Sequence, residues 1–198
     1  MAIDLPKPRL KGDLSVEEAI LKRRSIREYS PEPLTLEEVS QILWAAQGIT
    51  HPYGYRTAPS AGALYPIELY IHATNVVELE KGIYRYDPER HLLLEGRRGD
   101  LSSEIYRIGL SQEQIITAPL IVLIFGVFSR TTFKYGKRGI RYVFNEVGHV
   151  GQNIYLQATA LGLGTVAIGA FYDEELRELV GAGREESPLY IMPVGKVG

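Results

Sequence analysis

The sequence predicts an α+β domain built on a central sheet, and three observations carry the prediction. Helical and strand-like segments mix without a regular β-α-β alternation, which argues against a doubly wound parallel sheet. Pro119–Phe128 is an unbroken apolar, β-branched run, the pattern of a strand buried on both faces. Between Arg141 and Asp173 the only formal charge is Glu146. A helix over Ile140–Gly162 would therefore be apolar nearly all round, so it belongs in the core or against a partner.

Each element has a local reason. Ser15 and Glu18 form a capping box that opens a first helix, with Val16, Ala19 and Ile20 on its apolar side. This helix should stop before Pro31; if it persists that far, Arg23 and Arg27 share one face. Thr35 and Glu38 make a second capping box, followed at helical spacing by Leu36, Val39, Ile42, Leu43 and Ala46 up to Gly48, with Trp44 read as core in preference to a ring bordering a ligand. Ile67, Leu69 and Ile71 alternate with Glu68, Tyr70 and His72, a period of two that predicts a strand over 67–73. Gly82–Tyr86 and His91–Glu95 flank Asp87-Pro88-Glu89-Arg90, a hairpin pattern. Helical segments are expected at 100–109 and 111–117. Ser129–Gly139 reads as a polar, basic loop after a core strand, and Leu163–Phe171 as a second buried strand. Asp173 should cap a short helix ending at Gly181, before a last strand over Pro188–Val197.

Composition narrows the chemistry. A chain of 198 residues with 45% hydrophobic and 23% charged residues can bury a full core. The net charge of −2 gives no reason to expect nucleic acid or an anionic membrane as partner. The absence of cysteine excludes disulfides, thiolate nucleophiles and Cys-built zinc or iron–sulfur sites. Met1–Asp13 lacks the apolar stretch of a signal peptide. Residues 1–14 are thus expected to form an N-terminal arm before a single domain, 15–198, in a cytoplasmic protein.

Candidate chemistry gathers at three places. Arg56–Tyr70 starts as a loop held by Pro59 and Pro66, with Ser60 and the very small Ala61, Gly62 and Ala63 between them. Small side chains leave the main chain open to a flat or anionic ligand. Lys22–Arg27 is strongly basic; its cations favour a helix C-terminus, and its guanidinium forks together with Ser25 also suit phosphate. Glu146-x-x-His149 has the spacing of a di-iron helix motif, but such a site needs two of these and further carboxylates, so the pair reads as structural. There is no G-x-S-x-G, no Walker A sequence and no G-x-G-x-x-G.

Taken together, Arg23-Arg24-Ser25-Ile26-Arg27-Glu28-Tyr29 resembles the N-terminal flavin motif of the nitroreductase-like FMN oxidoreductases. Ala58–Pro66 is similar to the branch known as SagB-type dehydrogenases, which oxidise thiazolines and oxazolines. Lys134-Tyr135-Gly136, Arg141-Tyr142 and Glu146-x-Gly148-His149-x-x-Gln152-Asn153 point to the same branch. The resemblance runs from about Val16 to the end. It implies a nitroreductase-like fold, a mixed central sheet flanked by helices, in a homodimer with one FMN at each of two interface sites. It places Arg23 and Ser25, with Arg24 of the same motif, at the FMN phosphate or ribityl chain, Arg27 near the N1/O2 edge, and Lys196 back at the phosphate. Pro59, Ser60, Ala61, Gly62 and Leu64 would meet the ring from the other subunit, and Ile168 and Gly169 would approach N5. Lys134 and Tyr135 match the pair implicated in azoline oxidation. Lys134 would be a buried base in the field of Arg130, Lys137 and Arg138, and the substrate a small-molecule or peptide azoline. The alternatives are an NAD(P)H-dependent nitro- or quinone-reductase on the same fold, and a flavin-binding module without catalysis.

Overall fold

A computed structural model describes all residues, Met1–Gly198. Seven strands form one sheet: β1 (Ala2–Asp4), β2 (Ile67–Ala73), β3 (Gly82–Asp87), β4 (Leu92–Arg98), β5 (Leu120–Val127), β6 (Leu163–Thr165) and β7 (Glu186–Lys196). Their order is β1-β4-β3-β2-β5-β7-β6. The sheet expected to be mixed is antiparallel in every strand pair. Parallel pairing enters only at single bridges, Ser25 with Thr165 and Leu34 with Val76. The segment expected as an N-terminal arm contributes the edge strand β1, paired to β4 through Ala2–Leu94, Ile3–Leu93 and Asp4–Leu92.

The helices cover both faces. They are α1 (Val16–Lys22), α2 (Leu36–Gln47), α3 (Ser102–Ile108), α4 (Glu113–Thr117), α5 (Phe128–Tyr135), α6 (Arg138–Ala160) and α7 (Asp173–Val180). β5 is buried along its whole length, and its alternation divides the core. Leu120, Val122 and Ile124 pack with α2 and α6, against Ile42, Leu43, Val147 and Ile154. Ile121, Leu123 and Phe125 pack with α3, α4 and α7, against Ile105, Ile115 and Leu176. Burying an aliphatic side chain of this size stabilises by about 1.5–3 kcal/mol, so the uninterrupted apolar run of β5 is what both faces need. Both capping boxes form as expected: the Ser15 hydroxyl accepts the Glu18 N–H at 3.1 Å, and that of Thr35 accepts the Glu38 N–H at 3.2 Å.

Five expectations need correction. The Ser129–Gly139 segment, expected as a loop, holds helix α5. Tertiary packing outweighs its polar composition: Thr131 is buried, the Phe128 ring packs edge-on to Phe144 at 5.4 Å, and α5 crosses α6 where Gly139 allows the Thr131–Thr132 backbone to approach. The predicted strand over Leu163–Phe171 stops at Thr165, and only Ile168 returns to the sheet, exchanging two hydrogen bonds with Ile191. Helix α1 ends at Lys22, with Arg23 as its extended cap, so Arg23 and Arg27 do not share a helix face. Helix α7 is capped at Tyr172, without a side-chain hydrogen bond, rather than by Asp173. Trp44 is half-buried and borders two surface grooves instead of sitting in the core. No helix is long and apolar enough to cross a membrane.

Candidate active site

The basic segment after α1 is fixed to the end of the sheet. Ser25 bridges Thr165, the Ile26 N–H donates to the Thr165 carbonyl at 2.9 Å, and β6 pairs with β7 so that Leu163 faces Lys196. Gly164 permits this approach, because a Cβ there would lie 2.6 Å from the Ile26 side chain. Tyr155 of α6 joins the pieces. Its hydroxyl lies 3.1 Å from that of Ser25 and accepts the Ala167 N–H at 2.8 Å, while the Arg23 guanidinium sits over its ring at 5.2 Å. Arg23, Ser25, Tyr155 and the Ala167 backbone are therefore brought together, with Lys196 at the adjoining end of β7. Arg27 is exposed, and Lys196 lies 3.7 Å from the exposed carboxylate of Glu32. Arg24 turns back along the chain, donating to the carbonyls of Leu21 at 2.9 Å and Arg23 at 2.7 Å. That is the geometry of a cation satisfying a helix C-terminus.

The small-residue loop is strained. Gly62, Ala63 and Tyr65 all have positive φ (64°, 53° and 45°), and Ala63 and Tyr65 have side chains that disfavour it. The surroundings over-determine the turn. The Ser60 hydroxyl accepts the Tyr65 N–H at 2.9 Å, and the Tyr65 hydroxyl accepts the Arg56 N–H at 3.2 Å. Arg130 donates to the Tyr65 carbonyl at 3.0 Å, and the Arg56 guanidinium stacks over the Tyr65 ring at 4.7 Å. Arg130 also pairs with Glu68, so its charge is engaged there.

Helix α5 brings the expected Lys-Tyr pair against this loop. A Cβ on Gly62 would lie 2.7 Å from the Tyr135 hydroxyl and 3.0 Å from Lys134 Nζ. The Lys134 ammonium lies 5.5 Å from the Tyr135 ring centre, and Tyr135 packs edge-on to Tyr142 at 5.1 Å. Lys134 is exposed in the single chain, so the burial expected for it is not supplied by this chain alone.

Beneath the loop is a group that sequence reasoning set aside. Glu146 is 2% exposed and its Oε1 has no hydrogen-bond partner. Burial pushes its carboxyl up to about 7, against the Ser60 hydroxyl and the Arg56 charge, which both favour the ionised form. His149 is exposed, so the two residues do not converge on a metal. Tyr155 was not foreseen, and Arg56 entered only as the first residue of the loop stretch, without a role. The available signal was Glu146 as the lone charge among the 31 residues from Tyr142 to Tyr172.

The donor set suits a phosphorylated flat ligand. The Arg23 guanidinium, the Lys196 ammonium and the exposed Ser25 hydroxyl are the groups that phosphate recognition uses. Gly169 is exposed, and a Cβ there would meet only the Tyr190 ring, at 3.7 Å, so a ring system can approach its backbone.

Comparison with known proteins agrees with this chemistry. The Nitroreductase family model matches residues 20–196. A protein of Methanocaldococcus jannaschii that carries a provisional nitroreductase name is 49% identical over 184 residues, 93% of this chain and 92% of its own length. The crystal structure of a Ralstonia eutropha protein described as a nitroreductase superposes with a TM-score of 0.85 at 29% identity, covering all of this chain and 90% of the other. The Escherichia coli microcin B17-processing protein McbC is 26% identical over 171 residues, 83% of this chain and 63% of its own length. The fold, the strained loop facing α5 and the match over nearly the whole length converge: this chain is an oxidoreductase of the nitroreductase family.

Proposed function

We propose that the chain is an FMN-dependent dehydrogenase of the SagB type, acting by two-electron ping-pong chemistry as a homodimer. The observation that carries the reading is the Lys134–Tyr135 pair set against Gly62 of the strained loop. When bound, FMN would supply the two-electron acceptor. Arg23, Ser25 and Lys196 would hold its phosphate, Arg27 would stand near the pyrimidine edge, and Ile168–Gly169 with Ser60–Leu64 would bound the ring. As the neutral amine, Lys134 would take a proton from the substrate carbon and so become the ammonium, and Tyr135 would orient it.

A second copy has two supports. Glu146 and Tyr155 are nine residues apart on α6, which is about 13 Å along the axis and two and a half turns. The loop above Glu146 and the Arg-Ser segment beside Tyr155 therefore lie on opposite sides of one helix. Exposed apolar side chains flank these regions, among them Ile20 and Leu21 on α1, Phe133 on α5 and Phe144 on α6. A partner copy covering them would also remove Lys134 from solvent.

The second reading, an NAD(P)H-dependent nitro- or quinone-reductase, is favoured by the name of the Methanocaldococcus relative. One pair of assays separates the two. Oxidation of an azoline peptide with no reduction by NAD(P)H supports the dehydrogenase; rapid bleaching of bound FMN by NAD(P)H, with azolines untouched, supports the reductase. Loss of azoline turnover in Lys134→Ala and Tyr135→Phe is expected under the first reading. Unchanged turnover in both would remove it.

A further inference from the structure

Helix α5 is eight residues long, and one charged side chain in its first turn fastens it to the loop it faces. One terminal nitrogen of Arg130 donates to the Tyr65 carbonyl at 3.0 Å, and the other lies 2.5 Å from a carboxylate oxygen of Glu68 on β2. Glu68 is itself held. Its second oxygen takes Arg85 of β3 at 3.0 Å, Arg85 reaches Glu186 of β7 at 3.5 Å, and Glu186 accepts the Tyr70 hydroxyl at 2.6 Å. The Glu68 side chain is only 13% exposed, so its position is set by the sheet rather than by solvent. Arg130 therefore ties the start of α5 to three strands and to the strained loop at once.

The spacing along α5 gives this tie a consequence. Arg130 and Lys134 are four residues apart and share one helix face. Along that face Arg130 holds the Tyr65 end of the loop, and Lys134 stands over Gly62, its Nζ 3.0 Å from where a Cβ would be. Lys134 and Tyr135 meet the loop at a glycine, which has no side chain to grip them. Tyr65, with φ 45°, keeps its strained conformation only while its surroundings over-determine it, and the Arg130 hydrogen bond is one of those restraints. We propose that Arg130 is a positioning residue: by bracing the Tyr65 carbonyl and Glu68 together, it sets the distance of Lys134 and Tyr135 from the Ser60–Leu64 loop. The inference rests on the reading of Lys134 and Tyr135 given above and deepens it. It also changes the task of Arg130, which the sequence alone suggested as a source of positive field on Lys134. Glu68 offsets that charge, and what remains is geometry. A planar guanidinium presents two donors at a set angle to two acceptors, whereas an ammonium is a point charge that cannot brace both in this way.

The experiment compares the full-length wild-type protein, loaded with FMN, with Arg130→Gln and Arg130→Lys. The Arg130 side chain is 38% exposed, so neither substitution opens the core. The first readout is amide hydrogen exchange without substrate. Both variants should lose protection over residues 60–66 and 128–136, while β5 keeps its own. Wild-type protection of these two segments in Arg130→Gln overturns the proposal. The second readout is turnover of a synthetic peptide carrying one thiazoline. A displacement near 1 Å of a reacting group costs on the order of a hundredfold, so kcat should fall by about tenfold to a hundredfold in Arg130→Gln and also fall in Arg130→Lys. KM and the dissociation constant of FMN should stay close to wild type in both. A wild-type kcat in Arg130→Lys would make Arg130 a charge rather than a brace and overturns the proposal, as would a loss confined to KM. A wild-type protein that leaves the thiazoline untouched, while both variants lose protection as expected, would sink the dehydrogenase reading and leave the brace standing.

Discussion

The hydroxyls of Ser25 and Tyr155, 130 residues apart in sequence, lie 3.1 Å from each other, and the same Tyr155 oxygen accepts the Ala167 N–H. One phenol therefore fixes two chain segments that border the proposed phosphate site. Tyr155→Phe removes both hydrogen bonds but keeps the ring under Arg23. Stability should fall by about 1 kcal/mol, with an orphaned Ala167 N–H the main cost. FMN should bind more weakly as Ser25 loses its orientation. Urea unfolding and flavin fluorescence titration would measure the two effects, and unchanged values for both would mean that Tyr155 is incidental.

Arg23 and Arg24 are neighbours with different tasks. Arg23→Ala should weaken FMN binding by roughly 1.5–3 kcal/mol, the range for a charge-assisted hydrogen bond, and the loss should shrink at high salt. Arg24→Ala should leave FMN affinity nearly alone and lower stability slightly, because its guanidinium serves the carbonyls of Leu21 and Arg23. Titrations of both variants at low and high ionic strength check this. Equal losses of affinity would show that both guanidinium groups reach the phosphate.

Glu146 should give stability a distinctive pH dependence. Its carboxyl is raised from 4.5 to about 7 in the folded protein, so between these values the folded state binds the proton and the unfolded state does not. Stability from this group is complete below pH 4.5, declines as pH rises, and is lost above about 7. Glu146→Gln removes the titration. It should be more stable than wild type by up to ~3 kcal/mol at pH 8, with the difference vanishing toward pH 4.5. Urea midpoints at four pH values suffice. Parallel curves for the two proteins would contradict the burial argument.

Gly62 has φ 64° and the Tyr135 hydroxyl directly over the place a Cβ would occupy. Gly62→Ala should cost about 1–2 kcal/mol through the left-handed conformation. It should also push Tyr135 away from the loop. Turnover should then fall more than FMN affinity does. A variant with wild-type kcat and unaltered unfolding would show that the loop can relax around the methyl group.

Much of the scaffold was legible because it is local. The two capping boxes, the alternation in β2 and the apolar run of β5 are written in consecutive residues, and each element formed where those patterns lie. Helix α5 was not legible, since its stability comes from Phe128 and Thr131 meeting α6 rather than from its own polar sequence. The candidate site divides in the same way. The motifs at Arg23–Ser25 and Ser60–Leu64 are contiguous and could be read. Glu146, Arg56 and Tyr155 acquire their meaning from partners brought near by folding, and no spacing rule connects residue 146 with residue 60.

Helix α6 carries Glu146 on one side and Tyr155 on the other, and sheet and helices clamp its inward face. Each residue of an α-helix advances the chain by 1.5 Å and turns it by about 100°. One residue inserted or deleted between positions 147 and 154 would swing one anchor away from its partner while leaving the other in place. Over that interval the chain can exchange side chains freely on its outer surface, but its length is fixed.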